Sequence, residues 1–179
     1  MRHGRTDAGV HSLGQVANFK INSDIELERI PLALNSQLKK SIVVKQAEEV
    51  DERFHSRYSC KGKKYRYVIN NSAAGSSIYR DLEYHMPVKL NVKDMQKAIK
   101  YFVGEHDFKA FKASGTSSKS SVRTIYEASI VQDGERIIIE LNGNGFLYNM
   151  VRIIAGTLVD VGLREIETSR YSRDIRIRR

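Results

Sequence analysis

Apolar residues in the first third of the chain recur at two different spacings. Val16, Phe19 and Ile21 alternate loosely with polar neighbours over residues 12–21, the period of a strand with one wet face. Ile30, Leu34 and Leu38 recur at helical spacing within residues 25–38, with Pro31 near the front, where a helix tolerates it. Ile42-Val43-Val44 opens a second strand toward Val50, and Tyr58 to Ile69 reads as a longer strand rich in Tyr and Lys. Asn70-Asn71-Ser72 ends that strand, and residues 71–77, small and polar, form a loop.

The second half carries clearer signals. Asn91 can cap a helix in which Met95, Ala98, Ile99, Phe102 and Val103 form one apolar face. Residues 112–121 are a flexible Gly/Ser segment. Arg123 to Val131 and Arg136 to Leu141 read as two strands of a hairpin turned at Asp133-Gly134. A closing helix over residues 149–161 faces inward through Met150, Ile153, Ile154, Leu158 and Val161, with Gly162 as its C-cap. This order predicts an α+β fold with a mixed, largely antiparallel sheet flanked by helices.

Length and charge narrow the picture. A chain of 179 residues has room for one sizeable core or two small subdomains sharing a sheet. Thirty Lys and Arg against 21 Asp and Glu leave a net charge of +9, which suits a polyanionic partner. The lone Cys60 excludes an intramolecular disulfide and a zinc knuckle. No apolar run approaches the roughly 20 residues of a membrane-spanning helix, and the start, Met1-Arg2-His3-Gly4, lacks the apolar core of a secretory signal. A cytoplasmic protein without a membrane partner is expected.

Several chemistries lack equipment. Gly143-Asn144-Gly145 starts like a dinucleotide loop, but Tyr148 stands where its third glycine belongs. Gly62-Lys63 lacks the upstream glycine of a phosphate loop, since Arg57 occupies that place. The five histidines are scattered without metal-ligand spacing, so neither metal nor cofactor is expected.

One stretch does carry chemistry. Gly4-Arg5-Thr6-Asp7-Ala8-Gly9-Val10-His11 sets one carboxylate on a tight turn, with Arg5 two residues before it. Opposite charge from Arg5 favours the ionised form of Asp7, and an oriented, ionised aspartate suits nucleophilic or base work. The bland alternative is an Asx-type turn joining two elements.

The whole word, running on into Gly14-Gln15-Val16-Ala17-Asn18-Phe19, resembles the catalytic motif of the TruA-type tRNA pseudouridine synthases. Three further stretches are similar to that family in its own order. Arg53-Phe54-His55-Ser56-Arg57-Tyr58 precedes a basic strand, Lys63-Lys64-Tyr65-Arg66-Tyr67, that also reads as backbone contact with interleaved stacking. Phe102 to Phe108 precedes a loop whose basic residues touch tRNA in the family, and Lys112, Lys119 and Arg123 are its counterparts here. Gly145 to Arg152 is similar to the family's Phe-x-x-x-Met-Val-Arg segment.

The resemblance implies a fold of two ferredoxin-like (RRM-like) subdomains, the first incomplete, in residues 1–78 (catalytic) and 79–163, followed by an irregular basic tail at 164–179. It implies isomerisation of uridine to pseudouridine in the tRNA anticodon stem-loop, at positions 38, 39 and 40, by a cytoplasmic homodimer without cofactor or metal. Asp7 would be the catalytic aspartate, attacking C1′ or the base or removing a ribose proton. Arg5 would fill the gap left by the flipped base, Tyr65 would stack on that base, and Arg152 would hold Asp7 ionised. Phe54, His55, Arg57, Lys119 and Arg123 would contact RNA. The family also carries a strand and helix ahead of the Gly-Arg-Thr-Asp word and a closing strand, which suggests a chain shortened at both ends. A non-catalytic basic RNA-binding fragment is the alternative function.

Overall fold

The computed structural model describes residues 2–3 (main chain only), 6–115 and 120–163. Arg5, Lys119, most of the Gly/Ser segment's tip and the basic tail therefore lie outside the described residues. The chain divides into two compact units, residues 1–60 and 61–179.

In the first unit, strand β1 (Arg2–His3) pairs antiparallel with β2 (Ala17–Asn18). A 3-10 turn at Leu27–Arg29 leads into helix α1 (Ile30–Gln37), with Pro31 in its first turn as its spacing predicts. The strand expected over 12–21 shrinks to these two residues, because Leu13, Val16, Phe19 and Ile21 bury too little to hold a longer one. The strand expected from Ile42 to Val50 does not form either. The Asn35 side-chain amide takes both main-chain groups of Val44, at 2.7 and 2.9 Å, and so does the work of a neighbouring strand. Every buried apolar side chain among the described residues belongs to the second unit.

That unit is a five-stranded sheet in the order β4-β3-β7-β6-β5. Its strands are β3 (Lys63–Asn70), β4 (Tyr84–His85), β5 (Gly104–Asp107), β6 (Val122–Asp133) and β7 (Arg136–Gly143). Only β3 and β4 run parallel, so the sheet is mixed and largely antiparallel, as the element order predicts. Strand β3 begins at Lys63 rather than Tyr58 because its partner β7 ends opposite Lys63, at Gly143. The hairpin loop is Gly134-Glu135, one residue later than expected. Asp133 still pairs with Arg136, and Gly134, at φ 58°, occupies the first loop position that a type II′ turn reserves for glycine.

Helix α2 (Val92–Ala98) is capped by Asn91, whose side chain accepts the Asp94 N–H, and continues as a 3-10 turn through Phe102. Met95, Ala98, Ile99 and Phe102 are buried; Val103 has already left the helix and is exposed. Helix α3 (Met150–Gly162) buries Met150, Ile154, Leu158 and Val161 against the sheet residues Ile137, Ile139 and Leu141. Gly162 is its last helical residue and not the cap. A Cβ there would lie 2.9 Å from Met95 Sδ and 3.1 Å from the Leu90 side chain, so glycine is needed for close packing. No helix among the described residues is long and apolar enough to cross a membrane.

The opposite face of the sheet carries charged residues beside a cross-strand row of Val68, Ile138 and Val131. Arg66 reaches one carboxylate oxygen of Glu140 at 2.7 and 2.9 Å, and Lys64 reaches the other at 2.8 Å. Those bonds, Lys64 first, hold the Glu140 carboxyl below its ordinary value of 4.5. A carboxylate whose folded pKa is depressed stabilises above the unfolded value and loses that contribution as pH falls below it. Glu140→Gln should therefore cost at most about 1 kcal/mol near neutral pH, since the lysine and arginine are solvent-exposed. Thermal unfolding of both proteins at pH 7 and below pH 4 checks this: the gap should close in acid.

Candidate active site

In the first unit the Asp7 word forms a reverse turn between β1 and β2. The main-chain carbonyl of Asp7 accepts the Val10 N–H at 3.2 Å. Gly9 sits at the third position with φ 74°, which a type II turn demands and a side chain would strain. The turn leaves the Asp7 carboxylate exposed.

Strand β2 fixes a second stretch of the same unit. The Asn18 side chain accepts the Ser56 N–H at 3.0 Å and donates to the Phe54 carbonyl at 3.4 Å, holding residues 54–56 as a neighbouring strand would. Phe54 and His55 are half-buried and Arg57 is exposed. His55 Nδ1 accepts the main-chain N–H groups of Arg57 and Tyr58, at 3.2 and 3.4 Å. An accepting Nδ1 carries no proton, so the neutral ring presents its N–H at Nε2. The His55 and Tyr58 rings lie 4.3 Å apart, and the Arg57 guanidinium stands 5.7 Å from the Tyr58 centroid.

In the second unit, the pleat of β3 sends Tyr65 and Tyr67 to the face that carries Ile69, the core side. The Tyr65 ring is half-buried and meets Phe146 edge to face, with centroids 5.0 Å apart. A ring braced in this way keeps its orientation. Arg152 follows Phe146 closely in sequence, on the exposed side of the first turn of α3. Its charge acts on the Tyr67 hydroxyl. Burial raises the Tyr67 pKa above 10.0, Arg152 opposes that, and Tyr84 adds to it, so the phenol stays protonated at neutral pH.

Arg123 lies at the same end of the sheet. Its guanidinium donates to the carbonyls of Ser120 and Val122 at 3.1 and 2.6 Å and runs beside Gly145, where a Cβ would stand 3.7 Å from it. A bulge in β6, with Tyr126 unpaired between Ile125 and Glu127, twists the sheet there.

The sequence pattern of the family described as "tRNA pseudouridine synthase" matches residues 2–59 and 98–177. The tRNA pseudouridine synthase A of Acetivibrio thermocellus is 50% identical over 175 residues, which are 98% of this chain and 72% of that protein. That of Ruminiclostridium cellulolyticum is 53% identical over 166 residues, 92% of this chain and 68% of the other. A Thermoanaerobacter tRNA pseudouridine synthase A is 52% identical over 163 residues, 91% of this chain and 67% of its own. The chain belongs to the tRNA pseudouridine synthase family.

The two matched segments contain Asp7, the 54–57 word, Arg123 and Arg152. They also contain Arg5 and Lys119, outside the described residues. Tyr65 falls between the segments, so its candidacy stands on the local sequence and on its geometry. The structure sets Tyr65 against Phe146 within the second unit, and it ties residues 54–56 to the β2 side of the Asp7 turn within the first. Sequence reading gave no role to Asn18 as a bracket or to Phe146 as the brace of Tyr65. A lone amide or ring carries no periodicity that would reveal its partner.

Proposed function

We propose that this chain isomerises uridine to pseudouridine in the anticodon stem-loop of tRNA, at positions 38, 39 and 40. The bond from C1′ to N1 breaks, the base turns, and a bond from C1′ to C5 forms while C5 gives up its proton and N1 gains one. No oxidant, hydrolytic water or metal enters that balance. Asp7 is the catalytic aspartate, acting as nucleophile toward C1′ or the base or as base toward the ribose. Arg5 fills the space of the flipped base, Arg152 holds Asp7 ionised, and Phe54, His55, Arg57, Lys119 and Arg123 contact the RNA. The assembly is a homodimer in the cytoplasm.

What supports this reading most is the exposed carboxylate of Asp7 on a turn that glycine makes possible, in a member of this family. The braced Tyr65 ring supports it further, since a flipped uracil needs an aromatic platform. The experiment is tritium release from tRNA carrying 5-tritiated uridine, with the product mapped by nucleotide position. Release without pseudouridine at 38–40 would move the substrate elsewhere on the tRNA, and tRNA binding without any release would leave a binding module.

Tyr65→Ala should weaken productive tRNA binding by about 1–3 kcal/mol, the range for base–aromatic stacking. Tyr65→Phe retains the ring and should bind like the parent. Filter binding of both variants decides it: an unchanged Tyr65→Ala would assign the ring to packing against Phe146 alone.

A further inference from the structure

We propose that Asn144 is a positioning residue for the reaction: it fixes the loop that carries Phe146 and so sets the tilt of the Tyr65 ring. This rests on the reading that Tyr65 stacks on the flipped base.

The geometry starts where β7 ends. Its last pairs join Gly143 to Lys63 of β3 and to Ile125 of β6. One residue on, the Asn144 N–H donates to the Thr124 carbonyl at 3.0 Å, as an antiparallel ladder requires. The return bond is different. The Thr124 N–H donates at 3.0 Å to the side-chain oxygen of Asn144, which stands in for the main-chain carbonyl of a regular pair. Strand β6 thus keeps both bonds while the main chain leaves the sheet at Asn144. A residue without a side-chain acceptor there could hold only one of them. The Gly143-Asn144-Gly145 word, which begins like a nucleotide loop, is this exit from the strand.

Phe146 hangs between two anchors. Asn144 is tied to Thr124 on one side. On the other, Leu147 is buried in the core and its carbonyl accepts the Met150 N–H at 3.1 Å. The loop folds back over the strand it has left, since a Cβ on Gly143 would stand 3.5 Å from Phe146 Cζ. From there the Phe146 ring meets Tyr65 edge to face, with 5.0 Å between centroids and 76° between planes. Edge-to-face contact is directional, so the path of the loop sets the tilt of the Tyr65 ring. Asn144 itself is exposed, and water can replace its oxygen on the Thr124 N–H, so the bond adds little stability. Its contribution is direction.

The test is Asn144→Ala beside Asn144→Asp, which keeps the accepting oxygen. In the tritium-release assay kcat/KM for tRNA should fall about 3- to 10-fold in Asn144→Ala, as for one neutral hydrogen bond. The melting temperature should move by no more than about 4 °C. In a Tyr65→Ala background the same substitution should add no further loss. A readout without RNA is the NMR position of the Tyr65 ring signals in protein with labelled tyrosines, assigned with Tyr65→Phe. Phe146→Leu removes the neighbouring ring and sets the scale of the shift. Asn144→Ala should move the Tyr65 signals, and Asn144→Asp should leave them with the parent's. Unmoved signals in Asn144→Ala overturn the role of Asn144, and unmoved signals in Phe146→Leu overturn the brace through which it acts. Equal losses of turnover in both backgrounds overturn it too, because Asn144 would then act without Tyr65. Parental turnover by Tyr65→Ala overturns the underlying reading of Tyr65 as the platform of the base, and the ring signals still decide whether Asn144 sets its tilt.

Discussion

Asp7→Asn is expected to lose isomerisation by at least about ten-thousand-fold, the scale on which removal of a nucleophile acts, while tRNA affinity changes only a few-fold. The substitution is almost isosteric, and the site predicts little structural cost. The bond that closes the turn comes from the main-chain carbonyl of Asp7, which asparagine retains. The turn's shape depends on the positive φ of Gly9, not on the carboxylate. The side chain is exposed, so no packing is lost.

What disappears is an ionised oxygen able to attack carbon or take a proton. Attack on C1′, attack on the base and removal of a ribose proton all need that oxygen, and a neutral amide serves none of them. Tritium release and filter binding on the same preparation decide the matter. Normal release from Asp7→Asn would remove Asp7 from the chemistry. Loss of both release and binding would make it a structural turn residue.

The two units were not equally legible. In residues 61–163 the periodic signals have partners to satisfy them. The alternating Ile137, Ile139 and Leu141 meet the faces of α2 and α3, so strands and helices lie close to where the pattern puts them. In residues 1–60 the same alternation misleads. Val16, Phe19 and Ile21 have strand period but remain exposed, and the Val43–Val50 stretch has its one inward-tied residue, Val44, held by the Asn35 amide. A period of two reveals a strand only where something covers one face.

The candidate site divides along a different line. The Asp7 turn was readable because a glycine two residues after an aspartate sits where a turn needs a φ that other residues avoid. The partner of Tyr65 was not, because Phe146 comes from a loop far along the chain whose approach to β3 no local pattern encodes. Glycines that serve packing are likewise ambiguous in sequence. Gly162 looks like a helix cap and is a contact point, and Gly143 looks like the start of a nucleotide loop.

Gly143→Ala follows from that second glycine and should be the most damaging single methyl in the sheet. Gly143 is buried where three strands meet, paired with Lys63 of β3 on one side and Ile125 of β6 on the other. A Cβ there would stand 2.7 Å from the Thr124 carbonyl oxygen and 3.4 Å from Ile125 Cα, both main-chain atoms. Neither can swing away as a side chain would. The Thr124 carbonyl already accepts the Asn144 N–H at 3.0 Å, while the Thr124 N–H is held by the Asn144 side chain at 3.0 Å. Relief must come from shifting β6 beside its bulge, at a cost of about 3 kcal/mol, the upper part of the usual overpacking range. The melting temperature should fall by roughly 5–15 °C. The same methyl would stand 3.5 Å from Phe146 Cζ, so displacing β6 also disturbs the brace of Tyr65 and should lower turnover in the protein that remains folded. Gly156→Ala is the control: it lies on the exposed side of α3 with nothing within 4 Å of the added carbon, and should stabilise by about 0.4–1 kcal/mol. Circular-dichroism melts of both variants check the argument, and a Gly143→Ala protein that melts with the parent would mean that β6 yields to the methyl without cost.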